Sequence, residues 1–69
     1  MLATEQKLRR RRLREARRRK GLTQFDLAQR VGCSESQIAK IETGRATPEN
    51  WLKEAIAREV GIETWEVDT

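Results

Sequence analysis

Glycine stands at positions 21, 32, 44 and 61 and the single proline at 48, so the longest stretch free of both is residues 1–20. Glycine is a common stop just past a helix C-terminus, and proline is tolerated in a helix's first turn. This punctuation cuts the chain into short helices. No segment alternates apolar and polar residues with period two, which removes the signature of a half-buried strand. The expected fold class is all-α.

The segments bear this out one by one. Residues 4–20, TEQKLRRRRLREARRRK, read as a helix. Arg, Leu, Lys, Glu and Ala are good helix formers, and nothing β-branched follows Thr4. Leu13 and Ala16, with Leu8 a turn or more earlier, mark its inner side. A basic last turn before Gly21 suits the helix dipole. Thr23 is placed to cap QFDLAQRV, with Asp26 at the third position and Phe25, Leu27, Ala28 and Val31 as its apolar residues. After Gly32, Ser34 and Gln37 form S-x-x-Q, a capping box that opens a third helix over residues 35–43. Thr47, Pro48 and Glu49 predict the next start: a capping threonine, proline at the first helical position and an acid in the first turn. NWLKEAIAREV then runs to Gly61 with Leu52, Ile56 and Val60 in one stripe, and Ile62, Trp65 and Val67 form a last short turn over the core.

Sixty-nine residues make one domain, near the lower limit for a self-sufficient core. There is no run of eighteen apolar residues and no apolar stretch of signal-peptide type at the start, so the expectation is a cytoplasmic protein without a membrane span. Cys33 is the only cysteine, which excludes an internal disulfide and a cysteine-based zinc site. Histidine is absent, so zinc hydrolysis and serine or cysteine nucleophile chemistry lose their usual ligand or base. With little room for a cleft around paired carboxylates, neither enzyme activity nor a metal, cofactor or small-molecule ligand is expected. Charge is polarised. Residues 1–20 hold ten Lys/Arg against two Glu, while residues 21–69 hold five Lys/Arg against nine Asp/Glu. A polyanion partner for the first segment and a merely solvated helix face are both open.

Two helices joined by a three-residue turn are the unit that sets a helix in the DNA major groove. Residues 24–43, QFDLAQRVGCSESQIAKIET, meet its steric demands: Ala28 is small where the helices approach, Gly32 frees the turn, and Leu27, Val31, Cys33, Ile38 and Ile41 are uncharged where they face inward. The stretch KGLTQFDLAQRVGCSESQIAKIETGRATP resembles the phage repressor and Cro family of helix-turn-helix proteins, also called the xenobiotic-response-element family. GLTQ, the LA pair, the turn glycine, I-x-x-I-E-T-G and the proline four residues past Gly44 carry the likeness, which covers about residues 13–67.

The resemblance implies a compact five-helix, lambda-repressor-like domain over residues 13–69, preceded by a basic extension, residues 1–12, continuous with helix 1. It implies a transcriptional regulator, repressor-like, that binds double-stranded operator DNA, usually as a homodimer on an inverted repeat. By motif position, Ser34, Glu35, Ser36 and Lys40 touch base edges. Lys40 suits guanine O6/N7 as a donor and Glu35 suits cytosine N4 as an acceptor. Ser34 has capping as its other role, and Glu35 complementing the helix dipole. Gln24, Gln37, Thr43 and Arg45 are the phosphate contacts, with Gln37 alternatively completing its capping box. Glu42 matches a position whose carboxylate pairs with an arginine of helix 1, and Arg17 is in register. Cys33 reads as a small packed hydrophobe. Trp51, Ile62 and Trp65 stay divided between core and interface.

Two departures from the family remain. The run KLRRRRLREARRRK is more basic than helix 1 requires; tracking the DNA backbone, binding RNA or an anionic surface, and simple solubilisation are its competing uses. No ligand-sensing domain is expected after the helix-turn-helix. The alternative function is a protein-bridging adaptor or antitoxin-type partner-binding module of the same fold, using the acidic residues 48–69 as a contact face.

Overall fold

The computed structural model of the chain describes residues 9–69. Among these residues four α-helices follow one another: α1 (Arg11–Arg19), α2 (Gln24–Val31), α3 (Glu35–Glu42) and α4 (Asn50–Val60). A 3-10 turn, Thr64–Asp68, closes the chain, and the described residues contain no strand. The all-α expectation therefore holds, while among the described residues the expected five helices are four and a 3-10 turn. Gly61 in the left-handed conformation stops α4, and the few residues beyond it form only a short turn held by reciprocal bonds between Glu63 and Glu66.

Helices of 8–11 residues are marginal alone in water, so tertiary packing holds them. α2 packs on α3 and α4, while α1 lies across α3, α4 and the 3-10 turn. Leu13, Leu27, Ile38, Ile41, Ile56 and Val67 are fully enclosed where these elements meet. Each such side chain contributes roughly 1.5–3 kcal/mol relative to leaving it in water. Every α-helix and the terminal turn supplies at least one member. No helix of the described residues is long and apolar enough to cross a membrane.

Three local expectations change. Residues 1–8, including Lys7 and the first five residues of the expected 4–20 helix, lie outside the described residues. Arg9 and Arg10 are not helical. Arg10 donates its backbone N–H to Glu42 O at 2.9 Å, and its guanidinium reaches Ile41 O at 2.7 Å and Ala46 O at 3.0 Å, which draws the chain aside before α1 begins. The fourth helix starts at Asn50 rather than at Pro48, because Glu49 remains extended as its N-cap and Pro48 is buried ahead of it. Phe25 is 53% exposed. It lies two residues before Leu27, and residues two apart on a helix do not share a face.

Candidate nucleic-acid interface

The site is built from the α2 start, the turn, α3 and the loop after it. At the α2 start, Thr23 Oγ1 accepts from the Asp26 N–H and Asp26 Oδ2 accepts from the Thr23 N–H, both at 2.9 Å. The Thr23 backbone donor holds the Asp26 carboxyl below its ordinary pKa. At the other end Gly32 has φ +84° and donates to Ala28 O at 2.9 Å. A Cβ placed there would meet nothing within 4 Å, so backbone conformation alone demands glycine. Cys33 then donates its N–H to the same carbonyl at 3.0 Å, closing the turn. Its thiol is partly buried against the core, and burial raises its pKa, keeping it a neutral packing group.

Ser34 caps α3, its Oγ accepting from the Gln37 N–H at 3.1 Å. Only this half of the predicted capping box forms, so the Gln37 amide is left uncommitted. Ile38 and Ile41 are fully buried, while Ser34, Glu35, Ser36 and Lys40 are exposed. Glu35 occupies the first turn, where the helix dipole favours an anion. Ser36, Ala39, Lys40, Thr43 and Arg45 together line one shallow depression. Gln37 looks instead onto a second depression bounded by Gly32, Cys33, Thr47, Glu49, Trp51 and Leu52.

The loop after α3 is fixed from both sides. Gly44 takes φ +82°, and Arg45 and Ala46 both return their N–H groups to Lys40 O, at 2.8 and 3.2 Å. The Thr43 hydroxyl lies within bonding distance of Ala39 O (3.0 Å) and Lys40 O (3.3 Å), so its proton is turned inward. Among the described residues Lys40 and Arg45 enter no ion pair. Their charges face solvent.

Behind the exposed face lies a buried polar cluster. Arg17 Nε donates to Glu42 Oε2 at 2.6 Å and Nη2 to Glu42 Oε1 at 3.1 Å, while Nη1 holds Leu22 O at 2.8 Å. Both side chains are almost completely enclosed, at 8% and 3% exposure. Gln24 adds a bond from Nε2 to Glu42 Oε1 at 3.0 Å. The residue predicted to hold phosphate is therefore also linked through Glu42 to α1.

Sequence reasoning missed Arg10, which it grouped with the basic extension. This buried arginine holds the α3 C-terminus and the following loop, and Asp68 Oδ1 accepts from its Nε at 3.3 Å. No local signal separated it from Arg9, Arg11 and Arg12, because the carbonyls it holds lie 31 and 36 residues along the chain.

Two capped helices meeting at a left-handed glycine, the second buried on one side and polar with free cations on the other, define a helix-turn-helix unit. The helix-turn-helix domain family matches residues 10–68, and the chain belongs to that family. It is 45% identical over 51 residues to an "Uncharacterized HTH-type transcriptional regulator" from Methanothermobacter thermautotrophicus, the match covering 74% of each chain. No solved structure matches the chain.

Proposed function

We propose that this protein is a DNA-binding transcriptional regulator that inserts α3 into the major groove. The carrying observation is the depression shared by Ser36, Lys40, Thr43 and Arg45 on the open side of a helix whose other side is wholly buried. Ser36 and Lys40 project from α3 itself and are the base readers, joined at its N-terminus by Ser34 and Glu35. Arg45 lies beyond the helix, on a loop fixed by backbone bonds, and serves as a phosphate anchor, with Gln24 and Gln37 as further backbone contacts and Thr43 joining them once its hydroxyl proton rotates away from Ala39 O and Lys40 O. The adaptor alternative needs a free acidic face. Of its six acids, Glu59, Glu66 and Asp68 are engaged by Arg30, Arg12, and Arg10 with Lys53, which leaves Glu49, Glu54 and Glu63 as the exposed acids such a face would have to use. A homodimer on an inverted repeat completes the reading, in the manner of the repressor and Cro group.

Selection of binding sites from randomised duplex tests it. The parent protein should return a defined motif. Lys40→Ala should cost about 1–3 kcal/mol at the best site and relax preference at one position, whereas Arg45→Ala should weaken all sequences alike. If both variants return the parent motif at full affinity, α3 does not read DNA.

A further inference from the structure

Arg11, Arg14 and Arg18 stand at i, i+3 and i+7 of α1, which puts them on one face, and all three are exposed. Leu13, Ala16 and Arg17 occupy the opposite, buried side. The two flanks of α1 differ chemically. On one, Arg12 donates to Glu66 Oε2 at 2.8 Å and lies over the Trp65 ring at 6.0 Å. Its charge is matched internally. On the other flank Arg10 and Arg17 reach the α3 C-terminus, Ala46 and Glu42, beside the surface that carries Arg45. Arg14 is one turn on from Arg10 along that flank. Among the described residues none of Arg11, Arg14 and Arg18 meets a carboxylate. The acids of the terminal turn are therefore engaged on one side of α1, and Glu15, the one acid of α1, stands a turn from Arg11 and Arg18 without an ion pair, so three guanidinium groups outnumber it on the exposed face beside the Arg10 and Arg45 surface.

We propose that the Arg11, Arg14 and Arg18 stripe is a second DNA-backbone contact, which follows the phosphates flanking the segment read by α3. The proposal rests on the major-groove reading for its direction along the duplex. Charge complementarity and continuity with the α3 surface identify the occupant as duplex phosphate. Arginine suits it because its planar fork binds phosphate oxygens in pairs and stays charged at any ordinary pH. Such contacts release counterions and carry no sequence information, so the stripe extends the footprint and strengthens binding without altering base preference.

The test compares the parent, the Arg11→Gln/Arg14→Gln/Arg18→Gln variant and the corresponding triple Lys variant on two duplexes of equal length, one with the selected site and one of random sequence. On both duplexes, the slope of log affinity against log salt should fall by up to about 0.9 for each phosphate that the Gln variant no longer neutralises. The Lys variant should retain most of the slope, and hydroxyl-radical protection should shorten on one flank only with Gln. Arg12→Gln, on the matched flank, should leave the slope unchanged. If the triple Gln variant fails to melt cooperatively, Arg14→Gln alone decides by the same slope. An unchanged slope and footprint would overturn the proposal, as would an unchanged duplex slope with loss of binding to single-stranded RNA or anionic vesicles. Failure of the α3 reading is distinguishable: the parent would then select no motif, while the random-duplex slopes would still judge the stripe.

Discussion

Glu42 receives Arg17 Nε, Arg17 Nη2 and Gln24 Nε2 in a nearly closed space. Taking two charges out of water is costly, and the pair offsets that cost only while both partners are present. Glu42→Gln should therefore destabilise the protein by about 3 kcal/mol, because the Arg17 charge is left enclosed without its counter-charge. Arg10→Met keeps much of the side-chain volume but removes the charged donor from Ile41 O at the α3 C-terminus and from Ala46 O in the loop, and should cost about 2 kcal/mol or more. Urea denaturation reads both, and midpoints equal to the parent's would show that neither group holds the fold. The two arginines are not equally legible in the sequence. Arg17 stands out by its register with Glu42, whereas Arg10 sits in a run of four arginines with the same local propensity. What separates Arg10 from Arg9 is a meeting with carbonyls 31 and 36 residues away, which no local pattern encodes. The exposed residues of α3 are legible because helix periodicity fixes which side Ile38 and Ile41 bury. That Thr43 turns its hydroxyl proton back to its own helix depends on a rotamer, and rotamers are not written in spacing.

Among the elements, α2 and α3 announce themselves because their caps are local chemistry: Thr23 with Asp26, and Ser34 with the Gln37 N–H, each span three residues. The α4 start is displaced because its cap, Glu49, makes no side-chain bond to the helix end, where only its backbone carbonyl accepts, from the Lys53 N–H at 2.9 Å. Its carboxylate accepts instead from Trp51 Nε1 at 2.8 Å. The terminal 3-10 turn is the least local element. Val67 fills the core, Asp68 accepts from Lys53 Nζ at 2.7 Å as well as from Arg10, and Glu66 accepts from Arg12. Lys53 foremost, with Arg10, holds the Asp68 carboxyl below its ordinary value of 3.8. The Glu63 N–H, then Arg12, do the same for Glu66, whose ordinary value is 4.5. A carboxylate whose folded pKa is depressed contributes its stability fully above the unfolded value and loses it as pH falls through the folded one. Stability should therefore be level above about pH 5 and decline below it. Asp68→Asn should make that acid decline shallower and lower neutral-pH stability by about 1 kcal/mol or less, since the Asp68 side chain is 42% exposed and screened by water. Denaturation midpoints from about pH 2 to 7 check this, and an identical acid limb in the variant would mean that the turn is not held by this charge.

At the scale of the whole molecule, the basic N-terminal and acidic C-terminal halves seen in the sequence partly neutralise each other, through Arg10 with Asp68 and Arg12 with Glu66. Among the described residues, cations outside ion pairs lie on α3 and its loop, around the exposed side of α1, and at Arg58 of α4, and the proposed α3 and α1 surface would serve one copy on one stretch of duplex. One short recognition helix reads few base pairs, too few to choose a site among genomic competitors, so a second copy is the simplest source of specificity. Two exposed tryptophans are the candidates for joining the copies, Trp51 at 56% and Trp65 at 64% exposure. Trp65 lies beneath the Arg12 guanidinium, which occupies one face of its ring. Trp51 has only its indole N–H engaged, by Glu49, and borders the depression that also holds Gly32, Cys33 and Gln37. A two-fold contact at Trp51 would act next to the turn and so fix the separation of the two α3 helices, which must be roughly 34 Å to meet successive major grooves. A chain this small has already placed most of its large apolar side chains in its own core, so the free dimer should be weak and DNA should drive assembly. Sedimentation with and without an inverted-repeat duplex should therefore show protomers alone and two protomers per site when bound. Trp51→Ala should reduce cooperativity on the repeat while leaving half-site affinity intact, and Trp65→Ala should do so less. A single protomer saturating an asymmetric site would refute the dimer, and unaltered cooperativity in the Trp51→Ala protein would refute its placement at α4.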